Sequence, residues 1–139
     1  MANPPISHEV EVQVQFYDVD PMHIVWHGNY LKYFEQARAA LMYSIGYGYR
    51  EMKESGYSWP IIDISARYGG SATVGDTLIV TATVREWETR LRISYRIVNK
   101  RTGKRITRGK SVQVAVDMKT GEMCYRSPAI LLEKLGVEL

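Results

Sequence analysis

Apolar and polar residues alternate strictly at the start of this chain. Val10, Val12, Val14 and Phe16 are apolar, and Glu9, Glu11, Gln13 and Gln15 are polar, the period of two expected of a half-buried strand. Asp18, Asp20 and Pro21 then break the alternation and predict a loop. From about Asn29 the period changes: Tyr30, Phe34, Ala37, Leu41 and Ile45 recur at three- and four-residue steps, with Lys32, Glu35, Gln36 and Arg38 mostly between them. That spacing predicts an amphipathic helix of about four turns, with Gly46 as its stop. A short helix is expected around Arg50 to Glu54. Four alternating runs then predict strands: Ile62, Ile64, Ala66 and Tyr68; Leu78, Val80, Ala82 and Val84; Leu91, Ile93, Tyr95 and Ile97; and Val112, Val114 and Val116. Lys100 to Gly103 reads as the hairpin between the last two. Ser127 is expected to cap a final short helix with Pro128 at its first position, Leu131, Leu132 and Leu135 on one side and Gly136 after its last turn.

Strands joined by such short turns lie antiparallel, and a sheet with one apolar face needs cover that only the long helix can provide. The expected class is therefore α+β, a five-stranded antiparallel sheet wrapped around one helix. The 139 residues and 15.9 kDa fit a single domain over 1–139. Two sheet edges in so small a domain invite pairing with another copy, so a homodimer is expected, with a homotetramer as its possible doubling. The N-terminal MANPPISHEV lacks the apolar run of a signal peptide or membrane span. With one cysteine, Cys124, no internal disulfide can form, and the expected location is the cytoplasm.

Net charge is only +3, yet ten of the 18 cations fall in the 26 residues from Arg85 to Lys110. A phosphate-bearing partner fits that concentration, although alternation alone sends many of these side chains to the solvated face. No helix-turn-helix, zinc or stacking motif accompanies them, so nucleic acid is not the expected partner.

The segment with the densest chemistry is FYDVDPMHIVWHGNYLKYFEQAR, residues 16–38. It sets Asp20 shortly before a helix start, among backbone N–H groups that have no helical acceptor and carry the positive end of the helix dipole. Hydrolysis of a thioester needs a carboxylate that attacks the carbonyl or activates water, and donors aimed at the developing oxyanion. This segment resembles the N-terminal signature of the 4-hydroxybenzoyl-CoA thioesterase family, whose members have the hotdog fold. The D-x-D-P start, H-G-N-Y and Y-F-E-Q-A-R occur together at matching spacing. The likeness continues more loosely through Ala66 to Asp76, Glu86-Trp87 and Gly109 to Asp117. The resemblance implies an acyl-CoA thioesterase that needs no metal or other cofactor, with Asp20 as the catalytic carboxylate and the backbone N–H of His27 polarising the thioester carbonyl. It also implies a coenzyme A phosphate held by basic side chains, with Arg90 as first choice and Arg92 as second. Tyr17, His23 and Gly28 complete the expected substrate-binding set. Relatives commonly carry glycine where this chain has His23, so that imidazole either narrows the pocket or joins the chemistry.

Competing readings are weighed on the same residues. Asp18 is expected to order the loop rather than react. Glu35 is a rival carboxylate whose plainer role is a surface pair with Arg38. His23 and His27 suit zinc only on one helix turn, which Pro21 and Gly28 oppose, so no metal is expected. The alternative functions are a hotdog hydratase or dehydratase using His23 with Asp20, and a non-catalytic acyl-CoA-binding protein. Acyl carrier protein is the alternative thiol carrier to coenzyme A.

Overall fold

The computed structural model describes residues 6–137. Strand β1 (Ser7–Gln13) leads through a 3-10 turn (Phe16–Asp18) to helix α1 (Asn29–Ser44) and short helix α2 (Tyr49–Ser55). Strands β2 (Tyr57–Ser58), β3 (Ile61–Tyr68), β4 (Thr77–Glu86), β5 (Leu91–Asn99), β6 (Arg105–Gln113) and β7 (Val116–Asp117) follow, then helix α3 (Ala129–Leu135). The main sheet is five-stranded and antiparallel in the order β1-β4-β5-β6-β3, while β2 and β7 form a separate pair.

The expected alternation is cleanest in the middle of the sheet. Leu78, Val80, Ala82 and Val84 of β4, and Leu91, Ile93, Tyr95 and Ile97 of β5, are all buried on the face that meets α1. Each large aliphatic side chain there contributes about 1.5–3 kcal/mol of burial free energy. The helix presents Tyr30, Tyr33, Phe34, Ala37 and Leu41 to them. Phe34 stacks on Tyr95 at 4.5 Å with 10° between the rings. It can come so close because position 109 of β6 is glycine: a Cβ there would lie 2.5 Å from the Phe34 ring and 2.4 Å from the Ser65 carbonyl oxygen. Helix α1 ends at Gly46, whose φ of +79° suits glycine and lets the Tyr47 amide return to the Met42 carbonyl at 2.9 Å.

Several local expectations are corrected. Phe16 is 82% exposed, because the chain leaves β1 after Gln13 and coils into the 3-10 turn, which rotates the next apolar residue outward. Val114 lies beyond the end of β6, and Val116 belongs to β7. In β3 the alternation does not mark burial: Ile62 is 59% and Tyr68 47% exposed, since α1 packs mainly over β1 and β4 and leaves β3 largely uncovered. The final helix begins one residue later than expected, with Pro128 at the capping position; the Ser127 hydroxyl makes no cap and, among the described residues, is buried without a hydrogen-bond partner. Arg38 is buried and turned to the Tyr95 hydroxyl at 3.5 Å, so the pair with exposed Glu35 does not form.

Candidate active site

After the 3-10 turn, the chain doubles back on itself. Val19 pairs with Val25, the Asp20 amide donates to the Ile24 carbonyl at 2.8 Å, and the Trp26 amide donates to the Asp18 carbonyl at 3.0 Å. Asp20 heads the tight turn: its carbonyl accepts the His23 amide at 2.9 Å and its Oδ1 accepts the Met22 amide at 2.8 Å. That is the self-bonding expected of aspartate before proline in a turn. Among the described residues, Oδ2 of Asp20 has no hydrogen-bond partner. His23 closes the turn at φ +65°, a left-handed backbone that suits glycine better and costs an imidazole-bearing residue about 1–3 kcal/mol. Its ring is exposed.

Three residues beyond the Asp20–Ile24 pairing lie the first peptides of α1, on the order of 10 Å along the ladder at about 3.3 Å per residue. The Asn29 amide already donates to Trp26, and Tyr30 and Leu31 to His27 and Gly28. Among the described residues, no acceptor meets the amides of His27 or Gly28. These two N–H groups are therefore free donors at the positive end of a 16-residue helix. The Trp26 ring lies over Gly28 so closely that a Cβ there would come within 2.2 Å of it, which explains glycine at this position.

Asp18 is the scaffold of the site. It is 2% exposed, with Oδ1 accepting from Lys32 Nζ at 2.7 Å and Oδ2 from the Gln15 amide at 3.0 Å, while its carbonyl accepts from Asn29 Nδ2 at 2.8 Å. Burial alone would push its carboxyl up, but Lys32, the Gln15 amide and the Tyr33 hydroxyl outweigh it and hold it below the usual carboxylate range. Asp18 is thus ionised and occupied in ordering the loop. Burial, and then the Asp18 charge, raise the Tyr33 phenol well above its ordinary value; burial carries that of Tyr30 to about 12. Both stay protonated at neutral pH.

Other contacts at the site were not foreseen from the sequence. Tyr68, at the end of β3, donates its hydroxyl to the His27 carbonyl at 2.9 Å and meets the His27 ring edge-on. Thr73 Oγ1 donates to the His23 carbonyl at 2.8 Å, and the Val25 amide to the Ala72 carbonyl at 2.9 Å. The loop 72–76 that supplies these contacts is itself anchored by nearly buried Asp76, whose Oδ2 accepts from Asn99 Nδ2 and the Thr73 amide, both at 3.1 Å. A tyrosine just before Gly69-Gly70, and an aspartate after Gly75, were the only traces of these roles in the sequence.

The expected site residues fall into two groups. Asp20, His23, His27 and Gly28 come together in the turn and helix start, and Tyr17 stands at its rim, 78% exposed with Lys32 Nζ 5.5 Å from its ring centre. Arg90 and Arg92 instead meet on Glu86, at 2.8 and 2.9 Å, at the far end of β4 and β5. Hydrogen bonds from Arg90 and then Arg92 lower the Glu86 carboxyl to about 2. The rim around Asp20 is open and apolar: Phe16, Tyr17, Met22 and Trp26 are all at least half exposed. Among the described residues no helix is long and apolar enough to cross a membrane.

The chain is similar to known proteins along most of its length. The family model of the thioesterase-like superfamily matches residues 14–135. A protein of Synechocystis sp. that carries the provisional name of an esterase is 31% identical over 128 residues, spanning 91% of this chain and 77% of its own length. Among solved structures, a 1,4-dihydroxy-2-naphthoyl-CoA thioesterase from Synechocystis superposes with a TM-score of 0.84 at 18% identity, over 94% of this chain and 96% of its own. A 4-hydroxybenzoyl-CoA thioesterase, solved as an Asp-to-Asn variant with 4-hydroxybenzoyl-CoA, gives 0.81 at 20% identity, over 93% and 98%. At these identities the superpositions establish the hotdog fold. With nearly the whole chain matched by the family model, this protein belongs to the thioesterase-like superfamily and is a thioester hydrolase of the hotdog fold.

Proposed function

We propose that the protein hydrolyses an acyl- or aroyl-CoA to the free acid and coenzyme A, with Asp20 as nucleophile or general base and the His27 amide as oxyanion donor. One observation carries this reading: a carboxylate with a free Oδ2 heads the turn that leads into α1, and two unaccepted amides lie just before the helix start. As the carbonyl carbon becomes tetrahedral, the negative charge that develops on its oxygen is met by donors that need no reorganisation, worth about 2.7–4 kcal/mol each when removed from comparable sites. Because the donor is main chain, the His27 side chain is not required for it. His23, Gly28 and Tyr17 line the approach. Gly28 keeps the peptide free of a Cβ, and Tyr17 offers an exposed ring to the acyl or pantetheine part.

The open, apolar rim supports a homodimer. The free edge of β3, with Ile61, Ile62 and Ile64 each at least a third exposed, supports pairing there. Sedimentation across a concentration series reads the dimer and registers a tetramer as a heavier species. A cytoplasmic location suits a CoA-dependent enzyme with a lone cysteine. Arg90 and Arg92 remain the phosphate contacts of this reading, and both must share Glu86 with the ligand.

Turnover of a panel of acyl-CoAs and acyl carrier protein thioesters, followed by thiol release, tests the proposal. Asp20→Asn should lower kcat by about 10²–10⁴. Unchanged turnover refutes the role of Asp20. Hydration of an enoyl-CoA without thiol release would replace hydrolysis with the hydratase reading, and tight binding without turnover would make the protein a sensor.

A further inference from the structure

The face of the sheet turned away from α1 carries, beside Arg92, a set of cations that the proposed thioester reading does not use. Between the buried residues of β4, β5 and β6 the alternate positions point outward, and their register places them in rows across the sheet. Thr81 is opposite Arg96, Arg96 opposite Arg108, and Arg108 opposite Arg67. The next row reads Thr83, Ser94, Lys110 and Ser65. Three arginines therefore stand side by side on neighbouring strands about 4.8 Å apart, so the outer two are about 10 Å from each other. Arg85 leans over the second row and donates Nε to Ser94 Oγ at 2.9 Å. These rows and Arg105 line a concave cavity of about 620 Å³.

Like charges directly opposite one another on a sheet are destabilising. Among the described residues, none of Arg67, Arg96, Arg105, Arg108 or Lys110 has a carboxylate within 4.0 Å. In the strand register Glu9 stands opposite Thr81 at the end of the first row and Asp63 lies two residues from Ser65, but neither comes within 4.0 Å of these five cations, and Glu86 is already held by Arg90 and Arg92. Such an arrangement is relieved by an anion. Its make-up favours phosphate, because guanidinium forks pair bidentately with phosphate oxygens and the interleaved hydroxyls supply further donors. Its concavity and volume suit a small ligand, which typically occupies about 300–1,000 Å³. A second copy of this chain would bring the same cations and is a poor occupant of this face.

We propose that the outer sheet face is a second anion site that binds a nucleotide bearing at least two phosphate groups, separate from the turn of Asp20. The phosphorylated nucleotide of coenzyme A and a free nucleoside triphosphate share this chemistry. Calorimetric titration of the full chain with adenosine 3′,5′-bisphosphate and with ATP distinguishes the two sources. Tighter binding of the first assigns the site to the coenzyme A head, tighter binding of the second to a free nucleotide, and either supports the site. Arg96→Ala combined with Arg108→Ala should weaken the tighter ligand at least 10-fold, and Arg67→Gln, a change at an exposed edge residue, should weaken it several-fold. Arg101→Ala, outside the cavity, should leave binding unchanged. Melting temperature of the unliganded double variant should match or exceed wild type, since like-charge crowding is relieved. No binding of either nucleotide at millimolar concentration, or equal binding by the variants, overturns the proposal. So does binding of duplex DNA or poly-glutamate alone, which would make the face a macromolecular surface. No acyl thioester enters this test, so its outcome is independent of the reading of Asp20.

Discussion

Tyr68→Phe tests how much the proposed oxyanion site depends on the bond that holds the His27–Gly28 peptide, next to the His27 amide. The substitution removes one hydroxyl and its 2.9 Å bond to the His27 carbonyl, leaving the ring against Tyr30 and His27. A neutral hydrogen bond of this kind contributes about 0.5–1.5 kcal/mol net, and this one sits at a partly exposed site. The bond holds the His27–Gly28 peptide, which carries the Gly28 N–H and adjoins the His27 N–H, so the population of correctly placed amides falls at most by the Boltzmann factor of the tether, about 2- to 13-fold at an RT of about 0.59 kcal/mol. The expected result is a 2- to 10-fold drop in kcat with KM nearly unchanged, and a melting temperature lower by a few degrees at most. Steady-state kinetics on a hydrolysed acyl-CoA, together with thermal denaturation, measure both. A loss beyond 100-fold would refute the tether, because it would put the phenol itself in the chemistry. Full activity would show that the amide needs no such support.

Other consequences follow from the same contacts. Gly109→Ala should destabilise the fold by about 3 kcal/mol or more in denaturant titration, since the new Cβ meets the Ser65 carbonyl at 2.4 Å and backbone cannot yield as a side chain does. Asp18→Ala takes the charged acceptor from both the Gln15 amide and Lys32 Nζ and should cost about 2 kcal/mol, with activity falling alongside as the turn loosens. Glu86 has its folded carboxyl lowered to about 2 from an ordinary 4.5, so its contribution is fully present above about pH 4.5 and is lost as pH falls from there towards 2. Because the trio is substantially exposed, that contribution is under about 1 kcal/mol, and the stability gap between wild type and Glu86→Gln should close over this acid window.

The middle of the sheet was legible because β4 and β5 each bury one face completely against α1, and a period of two records that one-sided burial directly. The edge strand was misread for the complementary reason. β3 has the same apolar alternation, but its apolar side extends past the cover of the helix, and a pattern in one chain does not say what covers it. Phe16 failed because alternation runs on past the last paired residue, whereas the ladder with β4 ends at Gln13 and Thr77. Arg38 failed because a local helix-surface rule lost to a tertiary contact with Tyr95. At the site, the residues close in sequence were visible as a cluster, Asp20 to Gly28. What supports them was not, since Tyr68, Thr73 and Asp76 reach the turn through the fold and no spacing rule joins them to it.

The clamp between the Asp20 turn and the loop 72–76 joins residues fifty positions apart, as the Thr73 bond to the His23 carbonyl illustrates. A helix such as α1 can form within about a microsecond from local contacts alone. The turn in front of it cannot settle until the chain has closed that long loop and met its entropic cost. Helix and active site are therefore separable in time and in stability. A partly open molecule can keep α1 intact and still present no aimed amide to a substrate. Hydrogen exchange at the Val25 amide, bonded to Ala72 and not to any helical neighbour, reports that opening. Conditions that loosen 72–76 should silence the enzyme before its helical content changes.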